Sequence, residues 1–127
     1  KHFKIVLFDY VGSGNSDISQ SNKHRYKKLD VYALDVLEVC TELNLSDVVF
    51  VGHSVSGMIG ALAAVERPAL ISRLIMVCPS PCFLNLLPDY QGGFDKEELQ
   101  ELLSLMDKNY IARRVHPIDS LIVFLIF

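Results

Sequence analysis

Cysteine is scarce: Cys40, Cys78 and Cys82 are the only three in 127 residues. An odd number without C-x-x-C spacing argues against a disulfide framework and against a zinc site, and points to a reducing, cytoplasmic setting. Charge of one sign is also missing. The net charge is −3 with both signs mixed, and no stripe of Lys and Arg is interleaved with aromatics, so neither nucleic acid nor a membrane surface is indicated as a partner. No apolar run approaches the roughly twenty residues that a membrane helix needs; Leu121 to Phe127 has seven. The N-terminus shows no basic start followed by an apolar stretch, so no signal peptide is expected. The chain does not open on methionine, and its β-prone apolar tail would be an aggregation hazard if left uncovered, so both ends read as cuts. No internal repeat or low-complexity segment stands out. What is present is a chain with half of its residues apolar, enough for one small core, and a small molecule is the expected partner.

Strands alternate with helices along most of the chain. Phe3 to Tyr10 reads as a buried strand, followed by the turn cluster Val11 to Asp17. Residues 18 to 29, with Lys23, Arg25, Lys27 and Lys28, read as a solvated loop. Asp30 can cap a helix whose apolar stripe is Tyr32, Ala33, Val36, Cys40 and Leu43, with Asp35, Glu38 and Glu42 toward the other face. Val48 to Val51 is a second strand. Val55 to Val65 is a helix apolar nearly all round, which implies burial on more than one side, and Arg67-Pro68 ends it. Leu74 to Cys78 is a third strand, closed by Pro79-Ser80-Pro81. The β-α-β-α-β order predicts an α/β fold, a parallel sheet with helices on its faces. After an irregular loop over 82 to 93, Asp95 caps a further helix with Glu98 at the third position, and Phe94 and Leu99 are placed for a hydrophobic staple. Leu99, Leu102, Leu103 and Met106 make its apolar stripe, so this helix should lie on something apolar.

The chemistry concentrates between the second strand and the second helix. Gly52-His53-Ser54-Val55-Ser56-Gly57 places a serine at the apex of a tight strand-to-helix turn, the pattern of a nucleophile elbow. Such a turn exposes the serine Oγ and directs the N–H of the next residue, Val55, toward a developing oxyanion. Ser56 stands where G-x-S-x-G has its second glycine. Serine is the next smallest side chain, and Gly57 and Gly60 give further clearance. Gly/Ser-rich connections of this kind also occur as plain turns, so the context decides.

Other motifs carry less. Gly12-Ser13-Gly14 lacks the third glycine and the following helix of a dinucleotide fingerprint, and reads as a turn that needs glycine dihedrals. His53 neighbours the serine but points elsewhere around a sharp turn, and a base must lie within about 3 Å of the hydroxyl. Asp107 and His116 follow Ser54 in the order of a triad without the strands that should carry them. His2 and His24 read as surface residues. Cys78 and Cys82 flank the mouth where the third strand ends, as small apolar lining. No metal site and no cofactor are indicated.

The elbow, the turn Asp9 to Asp17, the run from Arg67-Pro68 through Pro79-Ser80-Pro81-Cys82-Phe83-Leu84-Asn85, and Tyr90-Gln91-Gly92-Gly93-Phe94 together resemble one family. It is the set of α/β-hydrolases that includes the bacterial regulator hydrolase of the sigma-B energy-stress pathway and the plant karrikin and strigolactone receptors. The likeness spans about residues 3 to 110. It implies a partial hydrolase core over 1–81, the start of a helical cap over 82–110 and an unassigned apolar tail over 111–127, a fragment lacking both ends of the fold. It also implies Ser54 as nucleophile and the Val55 N–H as one oxyanion donor. In the family the other donor precedes Phe3, and the acid and histidine lie beyond the cap. The family's sheet also has a strand between those at 3–10 and 48–52. Here the flanking strands re-pair, or Leu121 to Phe127 fills the gap, or the chain is unstable alone; unpaired backbone groups favour the last two.

Two functions follow from the resemblance. One is a serine hydrolase acting on a small ester or lactone-like compound, nearly inactive here without its base and acid. The other is a sensor that captures a small hydrophobic ligand and recruits a signalling protein. A truncated product without function is the bland alternative.

Overall fold

The computed structural model describes residues 3–22, 24–108 and 122–126. Four strands and three α-helices occur there: β1 Lys4–Phe8, α1 Leu29–Glu42, β2 Val48–His53, α2 Val55–Glu66, β3 Ile71–Val77, α3 Lys96–Lys108 and β4 Ile122–Ile126. The strands form one sheet in the order β1-β4-β2-β3. β2 and β3 pair in parallel, with Val51 opposite Ile75 and His53 opposite Val77, and α2 is the crossover between them. β4 runs antiparallel to both neighbours, with Phe124 opposite Val6 on one side and Phe50 on the other. β1, β2 and β3 therefore share one direction, and the tail strand lies between β1 and β2 against it. Of the three outcomes for the gap, the tail fills it; the three strands expected to be parallel do share one direction, and the inserted tail strand makes the sheet mixed. Backbone pairing explains the choice: two strand edges facing each other across an empty slot would leave N–H and C=O groups unmatched.

α1 and α2 cover one face of the sheet. The core there is Val36, Cys40, Val48, Phe50, Ile59 and Ala63, each at most 2% exposed. Leu37 joins it and Leu43, 44% exposed, does not. The α1 stripe thus keeps Tyr32, Ala33, Val36 and Cys40 of the sequence reading and takes Leu37 in place of Leu43. Asp30 is not the cap: Lys28 takes that position with extended backbone, and Asp30 sits in the first turn, where a carboxylate still meets the positive end of the helix. Asp35 is half-buried and pairs with Arg25 at 3.8 Å. α2 buries Ser56, Gly57, Ile59, Gly60 and Ala63 on one broad face and leaves Val65 exposed, so its burial is one-sided.

β1 alternates. Val6 and Phe8 pack on the core, whereas Ile5 and Leu7 are 60% and 56% exposed on the other face. In β3, Leu74 packs on the core side and Ile75 and Val77 are exposed opposite. Neither α1 nor α2 packs on this second face. The turn after β1 is held as expected by glycine: Gly12 has φ +82° and Gly14 +51°, and a Cβ on Gly14 would meet the Asp9 carboxylate at 2.2 Å. Asp9 accepts a hydrogen bond from the Asn15 amide at 2.9 Å, and its carbonyl accepts one from the Ser16 hydroxyl.

Contacts divide the described residues after Pro79, and the segment from Ser80 through α3 is a second compact unit. Its loop is organised by Asn85. The Oδ1 accepts from the amides of Gly92 and Gly93 at 3.1 and 2.9 Å, and Nδ2 donates to Asp95 at 2.9 Å. Glu98 accepts from the Asp95 N–H at 3.0 Å, one half of the expected capping box. The other half is replaced, because the Asp95 carboxylate takes the Asn85 amide instead. Of its expected apolar stripe, Leu99 is half-buried, while Leu102 and Leu103 are 41% and 52% exposed.

Candidate functional site

Ser54 is the hinge between β2 and α2. It has φ 54° and ψ −123°, a region that side chains other than glycine's adopt only under strain, of about 1–3 kcal/mol. Two backbone hydrogen bonds hold it: the Ser54 amide donates to the Val77 carbonyl at 2.8 Å, and the Ser54 carbonyl accepts from the Gly57 amide at 3.0 Å. The side chain does not cap the helix it precedes. Among the described residues the hydroxyl makes no hydrogen bond, and the residue is half-buried. Val55 is the first residue of α2. Its N–H therefore has no partner inside the helix and lies at the positive end of the helix dipole.

Small residues make this geometry possible. A Cβ on Gly52 would lie 2.5 Å from the Ser56 carbonyl carbon and oxygen and 2.6 Å from the Gly57 nitrogen, so no other residue fits there unless the turn moves. A Cβ on Gly60 would lie 2.4 Å from the Phe50 ring. Gly57 is less tight, with Met76 at 3.3 Å. Ser56 is accommodated and fully buried.

No histidine or carboxylate among the described residues hydrogen-bonds to Ser54. His53 ends β2, exposed, on the strand face opposite Phe50. Asp107 lies in α3, and His116, like His2, lies outside the described residues. Cys78 is exposed, just past β3, with φ 49°; Cys82 is half-buried in the second unit, its thiol donating to the Leu84 carbonyl at 3.2 Å. Among the described residues no group of three or more His, Cys, Asp and Glu could hold a metal ion, and no helix is long and apolar enough to cross a membrane.

Two features escaped sequence reasoning. Tyr10, two residues past β1, is 4% exposed, its ring edge-on to Phe8 at 5.5 Å and to Tyr32 at 5.3 Å. Burial pushes its phenol well above the ordinary tyrosine range, and the nearby Ser56 hydroxyl pulls it partly back. A cleft of about 600 Å³ runs beside α1, lined by Asp9, Arg25, Tyr26, Asp35 and Glu38 among others, and Ser54 is not part of it. Nothing in the spacing of these residues distinguishes them from a polar surface.

With this geometry in hand, comparison with known proteins is consistent. Residues 1–116 match the sequence profile of the alpha/beta hydrolase fold. A probable esterase from Oryza sativa subsp. japonica is 44% identical over 110 residues, which are 87% of this chain and 40% of that protein. A karrikin insensitive 2 receptor from Petunia hybrida is 41% identical over the same length, with the same shares. A solved hydrolase from Oleispira antarctica superposes with a TM-score of 0.74 at 50% identity, covering 83% of this chain and 38% of that one. The chain thus spans about 40% of the length of the curated relatives it matches. A strained serine between a parallel strand and a helix, in a chain that fits the profile over nearly its whole length, makes this protein a member of the alpha/beta hydrolase fold family.

Proposed function

We propose that this chain carries the nucleophile of a serine hydrolase that acts on a small ester or lactone-like substrate. The observation that carries the reading is Ser54, held at φ 54° and ψ −123° with its hydroxyl uncommitted. In this role Ser54 Oγ attacks the acyl carbon and its proton passes to a histidine; the oxygen of the tetrahedral intermediate takes a hydrogen bond from the Val55 N–H. Gly52, His53, Ser56 and Gly57 shape the turn. The histidine and its orienting carboxylate come from residues other than those described, as does the second oxyanion donor, and no metal or cofactor is required. The segment 82–110 begins a cap over a small hydrophobic pocket, and the protein works in the cytoplasm. The esterase named among the relatives supports the reaction class.

Hydrolysis of p-nitrophenyl acetate tests this. The 127-residue chain should run close to the buffer rate. A longer gene product that supplies histidine and acid should show hydrolysis that Ser54→Ala lowers by about a thousandfold or more, as loss of a triad member does. Undiminished turnover by Ser54→Ala would overturn the assignment.

A second reading is favoured by the receptor among the relatives: the same pocket senses a small hydrophobic ligand, and cap movement recruits a signalling protein. Pull-downs with and without a candidate small lactone ligand separate the two, since a pure enzyme retains no partner in either condition.

A further inference from the structure

The paired helices α1 and α2 are grooved where they meet solvent. Two clefts of about 410 and 350 Å³ lie between them, and because Leu34, Leu37 and Glu66 line both, they form one groove. Its floor is apolar. Leu37 is buried and Leu62 half-buried, while Leu34 and Val65 are 47% and 82% exposed. The walls carry one sign of charge: Asp30, Glu38 and Glu42 come from α1 and Glu66 from α2, all four exposed. Arg67, at the C-cap of α2, is the one cation among the described lining residues. Among the described residues the ion pair joins Arg25 to Asp35, and none of the four wall carboxylates has one. Glu38 and Glu42 stand four apart on α1, where like charges repel. Single apolar side chains on a surface mean little, but a set of them in a cleft between two helices, walled on both sides by unmatched charge, has the form of a groove that accepts a third helix.

Size and charge narrow the occupant. From Asp30 to Glu42 the helix α1 rises about 18 Å, room for a helix of about three turns. Nucleic acid or an anionic membrane surface would meet walls of its own sign. A second copy offers an amphipathic helix in α3, but Glu97, Glu98, Glu101 and Asp107 outnumber Lys96 and Lys108 on it, so it too has the wrong sign. A small organic cation would use the carboxylates and leave Leu34 and Val65 bare. We infer that this groove docks a basic amphipathic helix of a partner protein. Its apolar residues, spaced i, i+3 or i+4 and i+7, lie on Leu34, Leu37, Leu62 and Val65, and its lysines or arginines lie over Asp30, Glu38, Glu42 and Glu66. The floor supplies most of the affinity, because exposed ion pairs add little by themselves; the walls choose the sign of the partner and speed the encounter. Both walls belong to the first compact unit. The inference is independent of the role of Ser54 and of the segment 82–110.

The test uses the full 127-residue chain and, as probe, a fluorescent three-turn peptide of leucine and lysine patterned as an amphipathic helix. One control peptide has glutamate in place of lysine, and another has the same composition in scrambled order. By anisotropy the lysine helix should bind about tenfold more tightly than either control, and severalfold more weakly at high salt than at low. In amide spectra it should move Leu34, Leu37, Leu62 and Val65. Leu34→Ser with Val65→Ser, and separately Glu38→Lys with Glu66→Lys, should each weaken binding about tenfold. All but Leu37 and Leu62 of these positions are exposed, so both double variants should keep the melting temperature of the parent; should one of them unfold early, the other carries the test. Ile5→Lys with Ile75→Lys, on the uncovered sheet face, should leave binding unchanged. Equal binding of the scrambled peptide, or binding lost through Ile5→Lys with Ile75→Lys and kept in both groove variants, would overturn the proposal. So would groove amides that shift with protein concentration in the absence of peptide, which would give the groove to a second copy of this chain.

Discussion

At the scale of single residues, the turn around Ser54 is a balance of strain and clearance. Ser54→Gly removes a side chain from a backbone region where only glycine is at ease, and should raise stability by about 1 kcal/mol in a denaturant melt while removing the hydroxyl. Gly52→Ala goes the other way. Its methyl would stand 2.5 Å from the Ser56 carbonyl group, and a loss of about 2–4 kcal/mol is expected in the same melt. Asp35 gives a pH signature. Burial holds its carboxyl above the usual 3.8, against the opposing effects of Tyr26 and Arg25. The folded state thus binds this proton more tightly than the unfolded chain does. The stability it contributes is complete below 3.8 and is lost as pH rises through the folded value. Asp35→Asn should flatten that part of a stability-against-pH curve; an unchanged slope would assign it to another group.

Elements differ in how far their own residues determine them. Leu125→Pro would delete an amide from a strand paired on both sides and should cost about 3 kcal/mol or more, seen as early melting and loss of amide protection in β1 and β2. In the second unit, Asn85→Ala would remove three hydrogen bonds around one loop. A loss of about 2 kcal/mol is expected, read as faster amide exchange at Gly92 and Gly93. Legibility follows the same division. β2, the serine turn and α2 could be read because Val48 to Val51, Gly52 and the small residues of α2 obey local rules of period and clearance. The cap of α1 misled because Asp30 satisfies the composition rule while the chain enters the helix two residues earlier. β4 has an obvious β-prone composition but no local sign of direction, since an antiparallel place between β1 and β2 depends on edges far away in the chain.

For the whole molecule, the lopsided coverage of the sheet is the governing fact. α1 and α2 shield one face, while Ile5, Leu7, Ile75 and Val77 remain between 43% and 60% exposed on the other. Apolar area of that kind favours association. Ile5→Lys combined with Ile75→Lys should raise the concentration at which light scattering begins, with little change in melting temperature; a large fall in melting temperature would mean that this face is covered in solution.

The pairing of Lys4 with Ile126 has a cost in time. While a ribosome is still threading out the middle of this protein, β1 and β2 have emerged with the slot between them unfilled, and they stay so until the complementary segment is made. Contacts this distant along the chain close slowly, and open strand edges in nascent chains are where aggregation starts. Yield in cells should therefore depend on translation speed and holdase chaperones more than equilibrium stability alone would suggest.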